Sequence, residues 1–131
     1  MITADIIGQS NLNNSHIERQ QTVDVRIRVV HSGLSASEIR FVAKLPEYLN
    51  DDDDSRAIIN KHSGDGGGIV VDSNSSDNIL VARMRLAAAD TLLIPPNTAL
   101  SWGIQVKNSN GEVMLPELRG RLFIKSDIVK T

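Results

Sequence analysis

Four arginines in two alternating runs are the side chains best placed to act on a partner. Arg26 and Arg28 alternate with Val25, Ile27 and Val29; Arg83 and Arg85 alternate with Ala82, Met84 and Leu86. A period of two is that of a strand with one buried face, so each pair of arginines shares the opposite face. If the two strands pair, the guanidinium groups form one basic stripe, and like charges oppose each other unless acidic neighbours intervene. Such a stripe is either a polar docking face for a partner subunit or an ordinary solvated sheet face. Nucleic acid is not indicated, because stacking residues are missing: Trp102 falls on a core face and Tyr48 stands alone.

The remaining chemical signals are weaker. Gly64-Asp65-Gly66-Gly67-Gly68 invites a phosphate loop, but Ile69 stands where a dinucleotide fingerprint needs its third glycine, and no Gly-Lys-Ser/Thr follows. The stretch reads as a flexible turn. Asp51-Asp52-Asp53-Asp54 lacks the spaced ligands, the bend glycine and the distal glutamate of a calcium loop, so it reads as a solvated loop. His16, His31 and His62 lie on separate loops or strand ends without metal-ligand spacing, and no Gly-x-Ser-x-Gly elbow surrounds any serine. No catalytic residue, metal or cofactor is expected.

The elements that must position these residues are short strands. The chain has 131 residues, a length that suits one domain, and a formal net charge of -2 that gives no case for an anionic membrane or nucleic acid. Aromatics are 3% of residues, so Leu, Ile and Val must fill the core, and without cysteine no disulfide or thiolate site exists. No apolar run approaches the roughly 18 residues of a membrane helix. The first ten residues have neither the basic start nor the apolar stretch of a signal peptide.

Alternation predicts strands over 21–32, 39–45, 57–61, 69–72, 78–86 and 100–107, with one helical turn at 87–91 ahead of Pro95-Pro96. Asn108-Ser109-Asn110-Gly111 is a hairpin turn signal, Val113–Leu115 begins the return, and Pro116 marks an edge or bulge. Residues 9–21 read as a polar loop. The fold class expected is all-β: an immunoglobulin-like antiparallel β-sandwich of about seven to eight strands over 21–131, with a closed barrel as the other possibility. Trp102 is expected in its core, between the sheets.

Residues 1–20 are expected to form either an N-terminal arm or a first strand plus loop. As an arm, the segment would add a strand to a neighbour, and Ile2, Ile6 and Ile7 would be its contacts.

The run Ala88-Ala89-Asp90-Thr91, then Trp102-Gly103-Ile104-Gln105-Val106, then Gly111, Gly120 and a final Asp127-Ile128-Val129 is similar to a group of small phage virion proteins. It resembles the immunoglobulin-like N-terminal domain of siphophage upper baseplate proteins, with Ser35–Lys44 and Ala57–Lys61 similar to that group's second and third strands. The chain departs from the pattern at Leu100, where the group has tyrosine, in its first twenty residues and at Asp51–Asp54.

The resemblance implies a structural, non-catalytic component of a tailed-phage virion, making protein–protein contacts at the tail, baseplate, neck or fibre attachment. The implied partners are other virion proteins, in multiple copies of a symmetric assembly, with neither nucleic acid nor membrane. Capsid decoration is one alternative. A carbohydrate-binding or adhesion module is another, since sandwiches often carry loop-borne sites.

Overall fold

In the computed structural model, which describes residues 1–9, 11–51 and 53–125, nine strands form two sheets packed face to face. The strands are β1 (Ile2–Ile6), β2 (Ser15–Glu18), β3 (Val23–Val30), β4 (Glu38–Lys44), β5 (Ile59–His62), β6 (Ile69–Val71), β7 (Ile79–Leu86), β8 (Thr98–Lys107) and β9 (Leu118–Lys125). A single helical turn, α1 (Ala88–Thr91), lies between β7 and β8, and a 3-10 turn, Pro46–Tyr48, follows β4.

One sheet has the order β1-β3-β7-β6 and the other β2-β9-β8-β4-β5. All pairings are antiparallel except β2 with β9. The architecture is an immunoglobulin-like β-sandwich.

Alternation decides which face of each strand is buried. Val25, Ile27 and Val29 on β3, Ala82, Met84 and Leu86 on β7, and Leu100, Trp102, Ile104 and Val106 on β8 meet in one core. Phe41, stacked on Trp102 at 6.0 Å between ring centres, is the largest fully buried side chain. Trp102 also lies over Gly120, its cross-strand partner on β9, where a Cβ would fall 2.4 Å from the indole. Its ring N–H has no hydrogen-bond partner among the described residues.

Within residues 1–20, Ile2–Ile6 and Ser15–Glu18 are strands of the two sheets. β1 runs antiparallel to β3 with Ile2 opposite Val29 and Ile6 opposite Val25. Ile2 and Ile6 are therefore in the chain's own core, 8% and 2% exposed, and offer nothing to a partner. Of the three expected contacts only Ile7, at 45%, is exposed. The polar stretch after β1 is anchored by Leu12, whose N–H donates to the Ala4 carbonyl (2.9 Å), and it contains β2, which aligns Ile17 with Ile124.

The return strand starts later than Val113. Lys107 bridges Val113, yet Ile104 pairs with Leu118, so the returning side carries extra residues around Pro116. Proline's missing N–H accounts for the bulge. The Asn108–Gly111 turn forms, with Gly111 at φ 81°. Asp127-Ile128-Val129 lies outside the described residues.

Candidate functional site

The β3–β7 pairing brings all four arginines onto the solvent face of the four-stranded sheet. Arg26 is opposite Arg83, and Asp24 is opposite Arg85. Across β1 the row continues with Asp5 beside Arg26 and Thr3 beside Arg28. Arg85 Nε donates to Asp24 Oδ1 at 2.9 Å. Arg26, Arg28 and Arg83 have no ion-pair partner among the described residues and are exposed.

The result is a basic triangle in which Arg26 and Arg83 directly oppose each other, with Asp5 beside Arg26 and Asp24 within reach of the Arg83 charge offsetting part of the repulsion. At one end of this face Met1, Val30 and Ile79 form an exposed apolar row. Val30 pairs with Ile79, and the Met1 carbonyl accepts from the Val30 N–H at 2.8 Å.

The outer face of the five-stranded sheet is different. A groove of about 730 Å³ crosses it, with Ser101, Gly103 and Val42 in its floor and Arg40, Lys44, Glu117, Arg119 and Arg121 around it. Most of its charges are matched internally: Arg119 Nε donates to Glu117 Oε2 (2.6 Å), and Lys44 Nζ lies 3.0 Å from Asp54 Oδ1.

One rim of the groove is the loop between β4 and β5. Arg56 orders this loop by donating to both carboxylate oxygens of Asp51 (2.9 and 2.6 Å) and standing 4.4 Å from the Tyr48 ring centre. Asp52 lies outside the described residues.

The other sequence signals resolve into structure. The Gly64–Gly68 stretch is a turn: Gly67 folds so closely on His62 that a Cβ would meet its carbonyl oxygen. In the Ala88–Thr91 run, Asp90 accepts from the Ala87 N–H (2.7 Å) and sits 3.2 Å from Lys61 Nζ, while buried Thr91 accepts from the Gln20 N–H (2.7 Å). That motif ties the two sheets together at one end. His16 stacks on Phe123 at 4.7 Å.

Among the described residues, three carboxyls are held below the ordinary carboxylate range. Asp24 is lowered first by its hydrogen bond with Arg85, Asp53 by the Ser55 hydroxyl, and Asp77 by Ser35, with the Gly33 N–H adding to it. A depressed folded pKa contributes stability above the unfolded value, and that contribution is lost as pH falls through the folded one. The melting temperature should therefore be flat from neutral pH to about 5 and fall below about 4. Thermal melts of Asp24→Asn/Asp77→Asn should show a shallower acid slope; an unchanged slope would place the acid-labile groups elsewhere.

No family model matches the chain, and no curated protein does. Among solved structures it is similar to AggA, the major subunit of aggregative adherence fimbriae type I from Escherichia coli. The identity is 10%, over 97% of this chain and 93% of that one, with a TM-score of 0.44. The likeness concerns the course of the chain and passes no property of that subunit to this one. The tailed-phage assignment is corrected on these findings: no family model or curated protein matches the chain, and the solved structure named above is a fimbrial subunit, not a virion protein.

Proposed function

We propose that this chain is a non-catalytic binding module of the adhesive kind, and that it engages an acidic protein surface through the outer face of the β1-β3-β7-β6 sheet. The observation that carries this reading is the triangle of Arg26, Arg28 and Arg83, exposed and without ion-pair partners among the described residues. Asp5 and Asp24 offset only part of the charge of the four arginines on this face, and an acidic partner would neutralise the remainder. The guanidinium fork is suited to bidentate carboxylate contacts. The strands of this face carry no aromatic residue among the described residues, which fits a protein surface rather than stacked sugar rings.

Binding to an immobilised poly-glutamate layer tests the reading. Wild type should bind at about 0.05 M salt and release at about 0.5 M. Arg26→Gln/Arg28→Gln/Arg83→Gln should bind at least about tenfold more weakly, in line with losing three charge-assisted contacts. Arg40→Gln/Arg119→Gln/Arg121→Gln changes the net charge equally on the other sheet and should behave as wild type. Equal weakening by both triple variants, or by neither, would remove the arginine face from the argument.

A further inference from the structure

We infer that the acidic partner of the arginine face is a second copy of this chain, which docks its β4–β5 loop there. This deepens the proposed function and rests on it. The charges of this nearly neutral chain are segregated. The outer face of the four-stranded sheet carries Arg26, Arg28, Arg83 and Arg85 against Asp5 and Asp24. The β4–β5 loop carries Glu47, Asp51, Asp53 and Asp54 against Arg56, with Lys44 at the end of β4 beside it. Each region holds a surplus of one sign, and the surpluses are complementary.

The apolar features match as well. The loop exposes Leu49 (52%) between Glu47 and Asp51, and the arginine face ends in the exposed row Met1, Val30 and Ile79. An acidic segment bearing one large apolar side chain is what a basic triangle beside an apolar row would accept. The described residues of the loop are also held before docking, by the Arg56 fork on Asp51, the Tyr48 stack and Lys44, which donates to the Asp53 carbonyl at 3.1 Å. Pre-ordering lowers the entropic cost of docking.

Geometry decides the mode. Leu49 and Asp54 border the groove on the five-stranded sheet, so the loop and the arginine face lie on opposite sides of the sandwich. They cannot meet within one chain. A contact between unlike patches is heterologous and propagates head to tail, into a ring or an open filament. Successive copies make the array multivalent toward whatever it adheres to.

Sedimentation velocity on the full chain, with two variants, tests this. Wild type at about 0.05 M salt should sediment increasingly fast as concentration rises, and return to monomer at about 0.5 M. The face variant Arg26→Gln/Arg28→Gln/Arg83→Gln and the loop variant Glu47→Lys/Leu49→Ser should each be monomeric. These changes are at exposed positions and leave the loop's internal pairs intact; an unchanged far-ultraviolet spectrum confirms folding. Mixed in equal amounts, the two variants should form a dimer and nothing larger, because one intact face then meets one intact loop. Wild type that stays monomeric at low salt, or variants that fail to combine while wild type associates, would overturn the self-docking. Poly-glutamate binding by such a monomer would leave the proposed function standing, whereas loss of that binding's dependence on the arginines would remove both.

Discussion

A chain lacking residues 1–9 is expected to be unfolded at room temperature. β1 places Ile2, Ala4 and Ile6 in the core, with Ala4 and Ile6 almost fully buried. Truncating one buried isoleucine to alanine typically costs about 2–5 kcal/mol. Removing two therefore costs about 4–10 kcal/mol, against a total stability of about 5–15 kcal/mol for a domain. The loss extends to the backbone. β3 would lose its ladder with β1, and Leu12 would lose the Ala4 carbonyl that holds it. The exposed edge of β3 would then carry Val25, Ile27 and Val29 behind unpaired N–H and carbonyl groups, a template for aggregation. The truncated chain should show no cooperative thermal transition and should aggregate. A soluble, folded truncation with an unchanged melting temperature would mean that β1 is a dispensable appendage.

The double nature of β1 shows where the sequence is informative. The alternation at Val23–Val30, Ile39–Ala43, Leu80–Leu86 and Leu100–Val106 is local, so those strands and their buried faces were legible. Ile2 and Ile6 on a short apolar strand suit a partner's sheet or the chain's own equally well, and only the pairing with β3 decides. β2 left no local trace. Its four residues contain one large apolar side chain, Ile17, and its partner β9 is distant in sequence and parallel to it.

The arginine site was half legible. Alternation put Arg26 with Arg28 and Arg83 with Arg85, but bringing the pairs together is a matter of sheet order. The ordering of the acidic loop was invisible, because it depends on Arg56 reaching Asp51 and Tyr48 across a turn. The Pro116 bulge was foreseen in kind; its effect on the register, which delays β9 to Leu118, was not.

Gly120→Ala is expected to cost about 3 kcal/mol, the upper end of what an overpacked core methyl does. The reason is space, not backbone conformation. A Cβ on Gly120 would fall 2.4 Å from one indole carbon of Trp102, 2.8 Å from another and 2.6 Å from Asn13 Oδ1. None of these can give easily. Trp102 is 3% exposed and backed by Phe41. Asn13 Oδ1 accepts from the Arg121 N–H at 3.0 Å, so moving it breaks a bond that leads the chain into β2. Gly103→Ala is the control. There the Cβ would meet the Glu117 carboxylate, at 2.5 Å from Oε1 and 2.9 Å from its carbon; that carboxylate is held only by exposed Arg119 and can swing outward with it, so the cost should stay within about 0.5 kcal/mol.

Trp102→Phe in the Gly120→Ala background separates overpacking from any other cause. Phenylalanine lacks the outer ring that the new methyl strikes, and because the indole N–H has no partner among the described residues, its removal forfeits no hydrogen bond. The double variant should be more stable than the sum of the single changes predicts, by about 1 kcal/mol or more, as expected for residues in contact. Denaturant melts of the four proteins give the coupling directly. Strict additivity would show that the methyl and the indole do not collide and that Gly120 is required for another reason.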